Sequence, residues 1–134
     1  MIHFSLPVYY TEVFKTKDSK TFLVSLNWYR NAHYHIQNKV KQYFTELIKK
    51  EVKDKAPIVT SYSVTYEYYY KNKTSDLPNV TTMTSKWVND TLQELKLVPN
   101  DNVQYLVQEL HKVAGIDTIT PRVEITIKDT NIND

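Results

Sequence analysis

A run of thirteen residues in the middle of the chain, 58–70, constrains the fold most, because its side chains alternate in character. One set comprises Ile58, Tyr62, Val64, Tyr66, Tyr68 and Tyr70, and the intervening set comprises Val59, Ser61, Ser63, Thr65, Glu67 and Tyr69. A period of two places the two sets on opposite faces of a sheet, which predicts a strand. Tyrosine is a favoured strand residue, so its tyrosine-rich end favours a packed core or a dimer surface over a base-stacking platform.

Helical periodicity appears on both sides of this strand. Apolar residues recur at three- and four-residue spacings within 30–52 and again from about 78 to 95, which predicts two amphipathic helices. The first stripe comprises Ile36, Val40, Tyr43, Phe44, Leu47 and Ile48, and the second comprises Val80, Met83, Trp87, Val88, Thr91, Leu92 and Leu95. Asp76 can cap the second helix, and Pro78 suits its first turn.

The remaining β-rich segments complete the predicted architecture. Residues 2–9 and 20–26 predict a hairpin or two edge strands, and 103–112 and 121–128 predict two further strands. The order β-β-α-β-α-β-β indicates an α+β domain with two helices packed on a mainly antiparallel or mixed sheet. We expect one domain over 1–134, with a hairpin extension over 1–23 and a frayed polar tail over 129–134.

Composition excludes several classes of protein. A single glycine leaves no room for the glycine-rich loops that bind nucleotide phosphates, and the absence of cysteine excludes disulfides and Cys-based zinc sites. Neither a leader nor a membrane span is visible, so we expect a cytoplasmic protein without membrane contact. Residues 30–86 hold ten Lys and Arg against five Asp and Glu, within a chain of net charge +2. This basic middle favours contact with phosphates, the alternative being a solvated helix face.

Two aspartates lie where catalytic carboxylates are often found. Asp76 opens the second helix, and Asp101 lies in the turn before the next strand. Carboxylates on such loops can converge on Mg²⁺, with Lys86 on the intervening helix projecting nearby. On the pattern alone, an aspartate at the position of Asp76 is more often a plain N-cap, and one at the position of Asp101 is more often a plain turn residue.

Five ordered segments resemble the RusA-like family of Holliday-junction resolvases, in its phage and prophage type. The resemblance spans about residues 24–128. The stretch 64–80 resembles the family's strand, basic loop and Asp-x-Asp-Asn motif, 86–92 its Lys-x-x-x-Asp-x-Leu helix, 99–103 its acidic turn, 121–127 its closing strand, and 26–32 a Leu-Asn-x-Tyr-x-x-Ala segment.

The resemblance implies a homodimeric, Mg²⁺-dependent endonuclease that nicks four-way or branched DNA symmetrically, with Mn²⁺ as a possible substitute. The family's metal ligands correspond to Asp76 and Asp101, and its lysine to Lys86, or to Thr82 when counted from Asn79. Basic residues implied at the DNA are Lys71, Lys73, Arg30 and Lys39. For a phage-encoded protein, the expected location is the cytoplasm of the bacterial host.

One position departs from the family pattern. Pro78 stands where the motif has its second acid, and proline has no side-chain oxygen for a cation. Asn79 or Asn100 could add a neutral oxygen ligand. The departure leaves a second hypothesis open, in which the chain is a catalytically impaired member that binds DNA junctions or regulates a protein partner. A third hypothesis, based on the modest net charge, is a small α+β binding protein unrelated to DNA.

Overall fold

The computed structural model describes residues 1–15 and 18–130. Its elements, in chain order, are β1 (Ile2–Pro7), β2 (Tyr9–Glu12), β3 (Lys20–Leu23), α1 (Leu26–Asn31), α2 (Tyr34–Val52), β4 (Tyr62–Tyr70), α3 (Leu77–Glu94), β5 (Leu106–Ile116) and β6 (Arg122–Asp129). The predicted α+β class is confirmed, with three helices and a mixed four-stranded sheet in the described part of the chain.

The alternating strand lies inside the main sheet, whose strand order is β1-β6-β4-β5. β6 runs antiparallel to both β1 and β4, whereas β5 runs parallel to β4. A parallel neighbour needs a crossover, and α3 provides it between β4 and β5. We call the end of the sheet where β4 and β5 begin its amino end, and the end where they finish its carboxyl end.

α2 and α3 cover one face of this sheet and bury the core. The tyrosines on that face of β4, Tyr62, Tyr66 and Tyr68, are buried, which confirms the prediction of a packed core for this set. Phe44 of α2 and Trp87 of α3 join the two helices by stacking at a centroid distance of 5.0 Å. The opposite face of β4 carries Thr65 and Glu67, which are half-buried.

Of the two N-terminal alternatives, the edge strand is confirmed for β1, whereas a hairpin between 2–9 and 20–26 is wrong. β1 pairs with β6 at the other end of the chain, with Ile2 opposite Ile127, and so belongs to the main sheet. The hairpin is formed by β2 and β3, with Tyr9 opposite Leu23. Residues 1–23 therefore comprise an edge strand of the main sheet, β1, followed by both strands of the hairpin, β2 and β3.

The first predicted helix is divided in two. Ser25 caps α1 by accepting a hydrogen bond from the Trp28 amide at 3.1 Å, and α1 ends at Ala32 in extended backbone. His33 then caps α2, since its ring Nδ1 accepts from the His35 amide at 3.2 Å. Local capping therefore separates α1 from α2, and the predicted stripe, which begins at Ile36, lies wholly within α2.

The start of the predicted tail is held by hydrogen bonds. The Thr60 hydroxyl donates to Asp129 Oδ1 at 2.9 Å, and the Thr130 amide donates to the Ser61 carbonyl at 3.1 Å. Residues 131–134 of the predicted tail lie outside the described residues. Among the helices that the structure describes, none has the length and apolarity to cross a bilayer.

Candidate acidic site at the ends of helix α3

Asp76 lies at the carboxyl end of the sheet, where the loop after β4 enters α3. It is the N-cap residue, and its carbonyl accepts from the Val80 amide at 3.2 Å, but its carboxylate makes no capping hydrogen bond. The side chain is exposed. The predicted capping position is confirmed, and the carboxylate remains available to a ligand at the positive end of the helix dipole.

Asp101 lies at the amino end of the sheet. Its amide donates to Asn100 Oδ1 at 2.7 Å, which organises the turn between α3 and β5. The Tyr62 hydroxyl, at the first residue of β4, donates to the Asn100 carbonyl at 3.3 Å. Burial, followed by the charges of Asp101 and Glu109, raises the pKa of Tyr62 to about 12, so the hydroxyl stays a donor at neutral pH.

One chain does not bring the two carboxylates together. They flank α3, whose 18 residues at a rise of ~1.5 Å each span about 27 Å. Ligands of one Mg²⁺ lie ~2.1 Å from the ion, so carboxylates that share it must approach to within a few ångströms. Among the described residues there is also no cluster of three or more acidic or histidine side chains suited to a metal. A single chain therefore does not fit the magnesium site that the sequence implied.

Lys86 lies in the middle of α3, apart from both aspartates. Ten residues separate it from Asp76, which corresponds to ~15 Å along the helix axis. Its ammonium lies 5.2 Å from the centroid of the Tyr29 ring, in a cation–π contact with α1. Thr82, the alternative family position, is exposed on the same face and one turn nearer to Asp76.

The two asparagines that could add a neutral ligand in place of the missing acid already accept hydrogen bonds from backbone amides. Pro78 is an exposed residue of that turn. Asn79 Oδ1 already accepts a hydrogen bond of 2.9 Å from the Asn27 amide, which ties α1 to the start of α3. Asn100 Oδ1 likewise accepts from the Asp101 and Asn102 amides. Both amide oxygens that could have added a neutral ligand are used to shape the backbone.

The four predicted DNA-binding residues lie in three parts of the fold. Lys71 and Lys73 are exposed on the loop between β4 and Asp76, and Lys71 lies 5.6 Å over the Tyr9 ring. Arg30 is exposed in the last turn of α1. Lys39 instead pairs with the buried carboxylate of Glu12 at 2.9 Å, and this hydrogen bond raises the pKa of Lys39. The loop lysines share the carboxyl end with Asp76, whereas Lys39 neutralises a buried acid.

The sequence did not indicate the exposed apolar side chains of β5, which is an edge strand of the main sheet. This strand of 11 residues ends the sheet, and four of its apolar side chains are exposed: Val107, Leu110, Val113 and Ile116. Glu109 and His111 on the same strand form a 2.9 Å pair, and this hydrogen bond lowers the pKa of Glu109. Eight of the 11 residues of β5 are exposed. In the sequence, however, residues 103–112 indicate only a strand and not its position in a sheet.

Comparison with known proteins adds no further identification: no protein-family model matches the chain, and no curated protein matches it.

Proposed function

We propose that the chain is a metal-dependent endonuclease that acts, as a homodimer, on four-way or branched DNA. The observation that carries this proposal is the arrangement at the carboxyl end of the sheet. There, the unengaged carboxylate of Asp76 lies at a helix N-terminus, six residues from β4, on a loop whose Lys71 and Lys73 are exposed. Cations beside an acidic metal ligand are what a phosphodiester substrate requires, because they neutralise the phosphates that flank the scissile one.

Because one chain keeps Asp76 and Asp101 apart, they would hold Mg²⁺ or Mn²⁺ only across the proposed homodimer, where the bound ion would supply Lewis-acid stabilisation of the phosphate and an activated water. Within the chain itself, the loop lysines bind the DNA backbone and Arg30 extends the basic surface onto α1. These contacts are sequence-independent, so a structure-specific rather than base-specific reaction is expected. A DNA substrate also fits the expected cytoplasmic location, which for a phage-encoded protein is the cytoplasm of the bacterial host.

Cleavage of a synthetic four-way junction with labelled strands tests the proposal. We expect paired nicks in Mg²⁺ or Mn²⁺ that disappear in Asp101→Asn and persist in Asp54→Asn, which removes an exposed acid at the far end of α2. Lys71→Ala with Lys73→Ala should weaken junction binding and flatten its dependence on salt. A clean protein that binds junctions but does not nick them in either metal would overturn the nuclease proposal.

Pro78 favours a second candidate, a junction-binding protein whose site is impaired, acting alone or through a protein partner. The residue is exposed in the first turn of α3, so an acid there could reach a metal beside Asp76. If Pro78→Asp creates or strongly raises cleavage, this candidate is correct. An active wild-type protein that is unchanged by Pro78→Asp excludes it.

A further inference from the structure

A cavity of about 420 Å³ lies between the β2–β3 hairpin and the segment where α1 meets α2. Its volume is in the range of small-molecule sites, ~300–1,000 Å³. Neither Asp76 nor Asp101 lines it. The wall residues that matter for binding are Glu12, Lys20, Phe22, Trp28, Asn31 and Ala32. The cavity is therefore a second candidate site, separate in its residues from the acidic one.

The carboxylate of Glu12 is the unusual feature of this wall. Glu12 is 5% exposed, and its Oε1 accepts a hydrogen bond from the Lys39 ammonium at 2.9 Å. Its Oε2 is buried and has no hydrogen-bond partner among the described residues. Burial, followed by the charge of Glu12, raises the pKa of Tyr10, but this neighbour does not complete a hydrogen bond to Oε2. A carboxylate oxygen is an acceptor, so the wall lacks a donor that a ligand can supply.

The charges around Glu12 favour a neutral donor over a cation. Lys39 already neutralises the carboxylate. Lys20 lies directly opposite Glu12 in the β2–β3 register and is exposed, so it adds a positive charge to the wall. A cationic ligand would meet a net positive surrounding, and repulsion between like charges opposes its binding. An amino group on an aromatic ring donates a hydrogen bond without adding charge, which makes an aryl amine the better fit.

Aromatic rings form another part of the wall. Phe22 and Trp28 stack at a centroid distance of 5.1 Å, with 21° between their planes, and both are half-buried. Such rings bind planar ligands by stacking. Asn31 also lines the cavity, and its side-chain amide is held in place by donating to the Asn27 carbonyl at 2.8 Å. A planar ring that carries an amino group and further polar atoms at its edge is a nucleobase.

We propose that this cavity binds an amino-bearing nucleobase, adenine before cytosine, whose exocyclic amino group donates to Glu12 while the ring packs against Phe22 and Trp28. The two fused rings of adenine cover more of the aromatic wall. The last torsion of a glutamate side chain is broad, so a small rotation turns Oε2 towards the ligand. Lys20 is placed to neutralise the phosphate of the nucleotide. The base belongs to a free nucleotide or to an unpaired nucleotide of DNA, since both present the same edge.

Calorimetric titration with two nucleotides tests the hydrogen bond to Glu12. Adenosine and inosine 5′-monophosphates differ at position 6 of the base, where the first has an amino donor and the second a carbonyl acceptor. We expect the adenine nucleotide to bind ~10–100-fold more tightly, because the other places an acceptor against a carboxylate. Equal affinities, or no binding of the adenine nucleotide at millimolar concentration, would overturn the proposal.

Glu12→Gln tests the carboxylate itself. A glutamine amide both accepts and donates, so the variant should lose the preference for adenine over hypoxanthine. Glu51→Gln, which changes an exposed carboxylate near the end of α2, should keep that preference. Far-UV circular dichroism confirms that each variant is folded. A preference that survives in folded Glu12→Gln would contradict the assigned contact and overturn the proposal.

Ala32→Leu tests the cavity without altering the pair of Glu12 and Lys39. Ala32 ends α1 in extended backbone, which leucine also adopts, and it lines the cavity. The larger side chain should narrow the cavity and weaken binding of the adenine nucleotide by ~10-fold or more. Unchanged affinity in a folded Ala32→Leu protein would show that the nucleotide binds elsewhere.

Oligonucleotides distinguish the two sources of the base. The Asn27 amide donates to Asn79 Oδ1 at 2.9 Å, so α1, which carries Trp28, is tied to the first turn of α3 beside Asp76. This continuity favours a base of DNA, and that source rests on the proposed function. A single-stranded adenine tetranucleotide should then bind ~10-fold or more tightly than the mononucleotide, with a gain that falls as salt rises.

A tetranucleotide that binds no more tightly than the mononucleotide would identify a free nucleotide as the ligand. Neither titration involves nicking of DNA. Failure of the nuclease proposal would therefore leave adenine binding in place, and loss of adenine binding would leave junction cleavage to be judged by its own assay.

Discussion

Removal of the buried hydroxyl of Tyr66 is predicted to stabilise the protein, which is unusual for a substitution in the core. Tyr66 lies in the middle of β4 with 0% of its surface exposed, and its hydroxyl has no hydrogen-bond partner among the described residues. Burying an unpaired hydroxyl costs ~1–3 kcal/mol, because the group loses its bonds to water and gains none. Tyr66→Phe removes that cost while keeping the ring that stacks on His111 at 4.8 Å. We expect the free energy of unfolding to rise by ~1 kcal/mol after the space left by the oxygen is taken into account.

Tyr68→Phe is the matched control, two residues along the same strand. The Tyr68 hydroxyl donates to Ser75 Oγ at 3.1 Å, so its removal should lower the free energy of unfolding by ~0.5–1.5 kcal/mol. For a domain of this size, the two substitutions should shift the melting temperature by roughly 3–5 °C in opposite directions.

Differential scanning calorimetry at one fixed protein concentration measures both variants, because association makes the melting temperature depend on concentration. Burial raises the pKa of Tyr66 well above its usual value, so the hydroxyl is neutral from pH 6 to 9 and the difference should be constant across that range. A melting temperature that falls in Tyr66→Phe would refute the reasoning and show that an ordered water bonds the hydroxyl.

Three further perturbations address other contacts. Lys39→Met should lower the midpoint of urea unfolding more than Lys41→Met on the same helix, because it leaves the buried carboxylate of Glu12 without its cation. Adding Glu12→Gln to Lys39→Met should restore part of the lost stability. Equal effects of the two lysine substitutions would contradict this prediction. Asp117 accepts hydrogen bonds from the Thr120 amide and from Arg122, and these lower its pKa to about 2. The ionised carboxylate therefore stabilises the fold above its ordinary pKa of 3.8, and this contribution is lost as the pH falls towards 2. Asp117→Asn should be less stable than wild type at pH 7, and the difference should shrink in acid titrations followed by circular dichroism. Phe44→Ala should lower the free energy of unfolding by ~3–5 kcal/mol, and Phe44→Leu should lower it by less than ~1.5 kcal/mol. Unfolding in urea, followed by Trp87 fluorescence, measures both variants. Similar losses in the two variants would argue against the stacked contact.

Patterns within a segment were predictable from the sequence. The alternation in 58–70 predicted β4. The strand begins four residues after the start of the pattern, at Tyr62, because the Ile58 amide instead donates a hydrogen bond of 2.7 Å to the Leu97 carbonyl. The stripe from about 78 to 95 predicted α3, observed from Leu77 to Glu94. Both patterns show which side chains of one element are buried, because side-chain direction repeats every two residues in a strand and every 3.6 residues in a helix.

Relations between distant segments were not predictable in the same way. The N-terminal strand reads as half of a hairpin, yet it pairs with β6 across more than a hundred residues, since alternation shows that a strand has a buried face but not which strand lies beside it. The separation of Asp76 from Asp101 depends on β5 being parallel to β4, and strand direction leaves no mark on residue type. Lys39 looked like one cation among several until the fold buried Glu12 against it.

The pairing of β1 with β6 has a consequence for synthesis of the chain. Among the described residues, β1 leaves the ribosome before its one main-sheet partner, β6, and β4 also precedes both of its neighbours. Ile2, Phe4 and Leu6 therefore cannot take their buried positions until β6 has emerged, and until then the nascent chain carries an incomplete core. A ribosome stalled before residue 122 should hold a chain that proteases cleave readily.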